Sequence, residues 1–195
     1  MSTTLPARFS TDQPGRGGGA PMASWQQIVV DLPLVAATMR TYLDQVAVVL
    51  RPGSVTNTDQ CLRSFATYLL LHHHEISRVR DIGRAHVEGF KLWLAARPGR
   101  SGTPRATNAT LAHRLGTLRM FFLRIDEWGW DDAPTRVPMF PGDVPKQHHA
   151  LPKALDDQTA ARLLTAAQAD KRQLVGLTVE FLLRTGLRVG EFTAL

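Results

Sequence analysis

Residues 181–195 read Phe-Leu-Leu-Arg-Thr-Gly-Leu-Arg-Val-Gly-Glu-Phe-Thr-Ala-Leu. Gly186 is placed to take the left-handed backbone that closes a helix, because it has no Cβ to oppose that conformation. A second helix then begins around Val189 or Gly190, which puts Arg188 at a helix N-terminus. The macrodipole disfavours a cation there, so a purely stabilising role is poor design. An anion-holding role makes sense, because the guanidinium and the unpaired N–H groups of a first turn converge on one phosphate. A lone Gly-x-Arg carries no such weight by itself and is read as a solvated turn unless its surroundings say otherwise.

The surroundings are helical. Just upstream, helices are expected at about 156–169, capped by Asp156 or Asp157, and at about 171–184, with Leu174, Leu177, Phe181 and Leu182 on the apolar side. Before them, 130–154 holds Pro134, Pro138, Pro141, Pro145 and Pro152 without helical period and reads as a linker. Four further helices precede it. The first is expected from Pro33 to Leu50 with Asp31 as cap, the second from Ser54 or Thr56 with Leu62, Phe65, Ala66, Leu69 and Leu70 on one side, and the third from Gly83 to Ala96. Thr103 caps and Pro104 opens the fourth, whose Leu111, Leu115, Leu118, Phe122 and Ile125 form an apolar seam with spacings of four and three. Residues 1–24, rich in Gly and Pro, read as a flexible leader. No stretch reads as a strand, so the fold class is all-α. The organisation expected is leader 1–24, a helical domain 25–129, linker 130–154 and a second helical part 155–195.

Charge is uneven along this plan. Between Arg51 and Arg124 stand twelve Arg or Lys against four acids, a local surplus larger than the net +6 of the whole chain. A basic surplus confined to one segment is the footprint expected of a surface that meets a phosphate backbone. Arg supplies 19 of the 23 basic residues, which either serves planar phosphate pairing or reflects GC-rich coding. Arg97, Arg100 and Arg105 cluster in the loop before the fourth helix. Thr107, Thr110, Arg114, Thr117 and Arg124 are read as sharing a hydroxyl- and guanidinium-rich face, favoured as phosphate-contacting over merely solvated. The single cysteine, Cys61, excludes an internal disulfide and a Cys-based zinc cluster, and its place on an apolar stripe points to a buried thiol. No apolar run approaches the ~20 residues of a membrane span, and no secretory signal is evident; a soluble, cytoplasmic setting is expected. His72, His73 and His74 are consecutive, point apart on a helix and are not read as a metal site; His148 and His149 are treated alike. Trp25, Trp93, Trp128 and Trp130 are read as core anchors rather than base-stacking platforms.

The run 181–195 resembles the first catalytic box of the tyrosine recombinases of the phage-integrase type. In that family the arginine after Thr-Gly-hydrophobic is one of two that clamp the scissile phosphate, and Arg188 stands at the matching position. Glu191 matches an acidic position that supports that arginine. The upstream order is similar too: a four-helix, SAM-like core-binding domain, with Thr58, Leu62, Phe65 and Leu69 in its second helix and Leu111, Leu118 and Phe122 in its last, then a linker to the catalytic domain. The box is specific, the helical pattern is not, and together they cover about residues 25–195.

The resemblance implies a core-binding domain followed by the first helices of an incomplete catalytic domain. It also implies double-stranded DNA and other recombinase subunits as partners, bacterial or phage encoding, and chemistry without metal or cofactor: a tyrosine attacks the phosphate while two arginines stabilise the developing charge. The family's lysine, His-x-x-Arg box and nucleophilic tyrosine all follow this first box and are not in the chain; Tyr42 and Tyr68 occupy apolar helical positions instead. The chain is therefore expected to bind DNA and not to cut it alone. Two other readings stay open, a non-catalytic DNA-binding remnant or inhibitor and a helical protein-interaction module. A coding frame continuing past codon 195 into His-x-x-Arg and a late tyrosine would decide for the enzyme.

Overall fold

Six consecutive residues of one helix, Ser64 to Leu69, are all buried, and that helix organises the larger part of the molecule. The computed structural model describes residues 22–98, 105–146 and 154–194. All regular structure in these is helical, with no strand among the described residues. The chain divides into two compact units, Met1–Gln147 and His148–Leu195.

The first unit carries α1 (Trp25–Asp31), α2 (Pro33–Ala47), α3 (Pro52–His72), α4 (Arg84–Ala96) and α5 (Asn108–Glu127). α3 touches each of the other four, which explains its burial on every side. Phe65 at its middle meets Phe90 of α4 edge-on at 4.9 Å and Phe122 of α5 at 6.1 Å, a geometry that aligns ring edges with ring faces. The α5 seam read from the sequence is the buried one: Leu115, Leu118, Phe122 and Ile125 lie in the core, with Leu111 half-buried. Polar groups on α3 are satisfied internally, as burial demands. The Thr67 hydroxyl donates to Arg63 O and accepts the Ala23 N–H, while Thr58 donates to Ser54 O.

Several boundaries differ from expectation. Five described helices, not four, make up this unit. The added α1 is capped by Ser24, which accepts the Gln27 N–H while the Gln27 side chain accepts the Ser24 N–H, a reciprocal capping box. The leader therefore ends docked rather than loose, since Ala23 and Ser24 are both engaged; residues 1–21 lie outside the described residues. Asp31 closes α1 and does not cap α2, whose N-cap is Leu32. α5 begins at Asn108 with Thr107 as cap, not with Thr103 and Pro104, which lie outside the described residues.

The segment read as linker from 130 onward packs on the first unit as far as Val144: Met139 is buried, and Trp130, Ala133, Val137 and Val144 lie against the core. Asp143 fixes it. Its carboxylate, 5% exposed, accepts from Arg84 and, at 2.7 Å, from Lys91 of α4, and from the Phe140 N–H. The Arg84 guanidinium, Lys91 and the Phe140 N–H hold this carboxyl far below the usual range.

The second unit holds α6 (Asp157–Gln168), α7 (Gln173–Thr185) and α8 (Val189–Phe192). Asp156 caps α6 through the Thr159 N–H. Gly176 of α7 lies against the α6 backbone, where an added Cβ would sit 3.2 Å from Ala167 O. Ala167 alone among the described residues of this unit is buried, while Leu174, Leu177, Phe181 and Leu183 remain exposed. A structure with so little interior opens easily.

Two outcomes follow. Asp143→Asn is expected to cost about 2 kcal/mol at pH 7, because it leaves Arg84 and Lys91 facing an uncharged amide; the value is kept modest since both cations are about a third exposed. Because the folded carboxyl titrates below the unfolded one, that difference should be complete above about pH 4 and shrink as pH falls further; urea titrations at pH 7 and pH 3 that showed equal gaps would contradict it. In limited tryptic digestion, residues beyond about 150 should be lost first and leave the first unit intact.

Candidate nucleic-acid interface

Arg97 closes α4, and its guanidinium lies 4.2 Å from the centre of the Trp93 ring. On α5, Arg114 is half-buried; its carbonyl accepts from the Cys61 thiol at 3.0 Å, and its Nη1 is sealed from solvent with no hydrogen-bond partner. Burial first, and then the neighbouring Arg114, hold the Arg97 guanidinium below its ordinary pKa; burial and Arg63 do the same to Arg114. Arg63, on α3, donates its Nε–H to Asp59 at 3.0 Å, and the other Asp59 oxygen accepts the Trp25 indole N–H at 2.6 Å. Three arginines from three helices thus gather around one carboxylate.

Arg114 does not share a face with Thr117 and Arg124, contrary to the sequence reading. Phe121 falls in the same arc of α5 and is fully buried, with its ring 5.0 Å from Tyr42. The arc is therefore interrupted. Thr117 and Arg124 line a separate groove of about 520 Å³ with Tyr42, Thr58, His113 and Arg119. Burial raises the Tyr42 hydroxyl's pKa, against the opposing pull of Arg124 beside it. Arg119 Nε, like Arg114 Nη1, is buried without a partner.

Of the other expected contacts, Arg105 is exposed just before α5. The Thr107 hydroxyl is spent on capping, since it accepts the Thr110 N–H at 3.2 Å. Arg100 lies outside the described residues. The tryptophans divide: Trp25 and Trp130 are half-buried against the core, Trp93 is half-buried beneath Arg97, and Trp128 is 41% exposed.

In the second unit Gly186 has φ +68° and ends α7, as its sequence position requires. Arg188 is the N-cap of α8, with its side chain 88% exposed. Glu191 holds it twice, accepting the Arg188 N–H at 2.8 Å and a guanidinium N–H at 3.4 Å. The guanidinium is thus turned to Glu191 rather than towards the helix terminus.

His73 does not gather with His72 and His74. It meets Glu75 and His86 of α4, with ligand-type atoms within 4.8 Å of one another. Hydrogen bonds account for this group without an ion. The Gly83 N–H can only donate, so His86 Nδ1 accepts and its proton sits on Nε2, facing Glu75 at 3.5 Å. His73 Nδ1 lies 2.9 Å from Glu75, and its Nε2 lies 2.8 Å from the Tyr68 hydroxyl, which burial keeps protonated. A metal on His86 Nε2 would require a proton on Nδ1 and would break the Gly83 bond, so the residues fit a metal poorly.

Among known proteins, the chain is 22% identical over 141 residues to transposase B from transposon PsiTn554 of Staphylococcus aureus, covering 72% of this chain and 21% of the relative. It is 32% identical over 120 residues to tyrosine recombinase XerD of Caulobacter vibrioides, covering 59% of this chain and 36% of that protein. Both similarities support the broad recombinase family. No family model matches, and no solved structure matches. The chain spans between a fifth and about a third of the length of these relatives. No helix among the described residues is long and apolar enough to cross a membrane.

Arg63, Arg119, His113 and Tyr42 were not among the expected site residues. Nothing in the sequence pairs Arg63 with Arg114, fifty-one positions apart, and Tyr42 reads as core. Cys61 lies directly under the Arg114 carbonyl, and burial pushes its thiol up to about 12. It should therefore resist alkylation and disulfide exchange at pH 8 and react only at the rate of unfolding; fast labelling of the native chain with an aromatic disulfide reagent would refute this burial.

Proposed function

We propose that this chain is the DNA-binding N-terminal part of a site-specific tyrosine recombinase. The first unit grips the backbone of duplex DNA through the basic surface of α3, the end of α4 and α5. Arg97, Arg105 and Arg114, the groove residues Thr117 and Arg124, and Arg100 in the preceding loop are its backbone contacts, with Thr107 ordering the start of α5. Arg188, braced by Glu191, clamps the scissile phosphate in a longer parent, which supplies the nucleophilic tyrosine and joins strands together with other subunits on the DNA.

The observation that carries this reading is the gathering of arginines from three helices with too few carboxylates to neutralise them, in a chain similar to a transposase and a tyrosine recombinase. Such surfaces cost stability unless an anion completes them. Exposed Arg188 suits an approaching phosphate better than it suits packing, and Glu191 stops it from collapsing onto the helix terminus.

Fluorescence anisotropy with a labelled duplex, titrated across salt, tests the proposal. Contact with about five phosphates predicts a slope of about −4.5 in log K against log salt. Affinity should vary little among unrelated sequences, because backbone contacts position without reading bases. A slope near zero, or no binding at low salt, would remove the reading and favour a protein-interaction module.

A further inference from the structure

We infer that Arg63, Arg97 and Arg114 form a single phosphate site, between α3, the C-terminal end of α4 and α5, that takes one phosphodiester of duplex DNA. This rests on the DNA-binding reading and narrows it to one place and one group.

The argument begins with a donor that has no acceptor. Nη1 of Arg114 is shut off from solvent and makes no hydrogen bond. Buried donors are satisfied in folded proteins almost without exception, and an unmet charged one is the costliest kind. Elsewhere this chain provides acids for its arginines: Arg84 has Asp143 and Glu88, Arg172 has Asp170, Arg184 has Glu180 and Arg188 has Glu191. Around Arg114 the neighbouring ionised group is another arginine, Arg63, and around Arg97 it is Arg114. The one carboxylate there, Asp59, is bonded by Arg63 on one oxygen and by Trp25 on the other. Like charges drawn together and partly dried, with the local acid already used, describe a site that awaits an anion.

The geometry selects the anion's shape. The Trp93 ring supports the face of the Arg97 guanidinium, and the N–H donors of that group lie in its plane. Arg114 offers its fork from a fixed helix and Arg63 from the next, both with stems immobilised by packing. Donors from three directions suit a tetrahedral oxyanion better than a planar carboxylate. The site lies on the segment where positive charge is concentrated, so a backbone phosphate is the ligand it fits.

The test compares the full chain with Arg114→Met, Arg63→Gln and Arg97→Gln in two arms. In the DNA arm, each variant should weaken binding to every duplex alike, by roughly tenfold at 0.1 M salt, and reduce the salt slope by about one. Without DNA, Arg114→Met should melt no lower than the parent chain, because it removes a buried unpaired charge; if it does not fold, the two glutamine variants decide. Variants that bind a duplex with the parent's affinity and slope would overturn the site while leaving the DNA-binding reading in place. If the parent chain ignores DNA, the second arm decides: inorganic phosphate should raise the melting temperature of the parent and not of Arg114→Met. An equal rise in both, or none in either, would overturn the site independently of the DNA reading.

Discussion

A helix covered on every side imposes terms on everything around it, and α3 is such a helix. Its buried hydroxyls must find acceptors along its own backbone, as Thr58 and Thr67 do. Its aromatic ring, Phe65, must meet neighbours edge-on to fill space without voids. Four helices are needed to surround it, which is why the short α1 is part of the unit even though seven residues could not hold a helix by themselves. Charges on α3 can emerge only at the seams between its neighbours. Arg63 emerges beside α5, and that one outlet brings it to Arg114 and Arg97.

Much of this plan was legible. Helical periodicity located α2 to α7 because each buries a stripe at the helical spacing, and the Gly186 and Asp156 signals worked because each rests on one local bond or one backbone angle. α1 was missed even though Ser24 and Gln27 spell a capping box, since the helix is too short to show a period and the proline at 33 drew attention as the start. The start of α5 was placed at Thr103, where a Thr-Pro pair imitates a helix opening; the working cap is Thr107, a few residues on. The proline-rich stretch after Trp130 was read as linker because it has no period. It has instead isolated anchors, Met139 and Asp143, whose burial depends on α4 and could not be inferred from spacing.

The site was less legible, for a geometric reason. A helical wheel assigns Thr110, Arg114, Thr117 and Arg124 to one arc, and that assignment is sound as far as it goes. Which part of the arc faces solvent is decided by the helices packed beside α5, and α5's neighbours cover Phe121 and half of Arg114 while leaving a groove at Thr117 and Arg124. One-dimensional periodicity cannot divide an arc lengthwise. Nor can it bring Arg63 to Arg114, because that meeting depends on the packing of α3 against α5. Arg188 was easier to place because its setting is local: one glycine, one turn and one carboxylate three residues on.

Two clusters of titratable side chains in the first unit show how such groups divide between structure and ligand. His73, Glu75, His86 and Tyr68 form a chain in which every donor meets an acceptor, from the Gly83 N–H at one end to the Tyr68 hydroxyl at the other. Such a network is complete, and adding an ion would break a bond it already has. Its work is to fasten the end of α3 to the first turn of α4. Arg63, Arg97 and Arg114 are the opposite case, since guanidinium groups only donate and the one acceptor among them is already shared with Trp25. Proximity in space does not distinguish the two clusters. The balance of donors against acceptors does, and only the arginine cluster leaves a donor that nothing in the folded chain can satisfy.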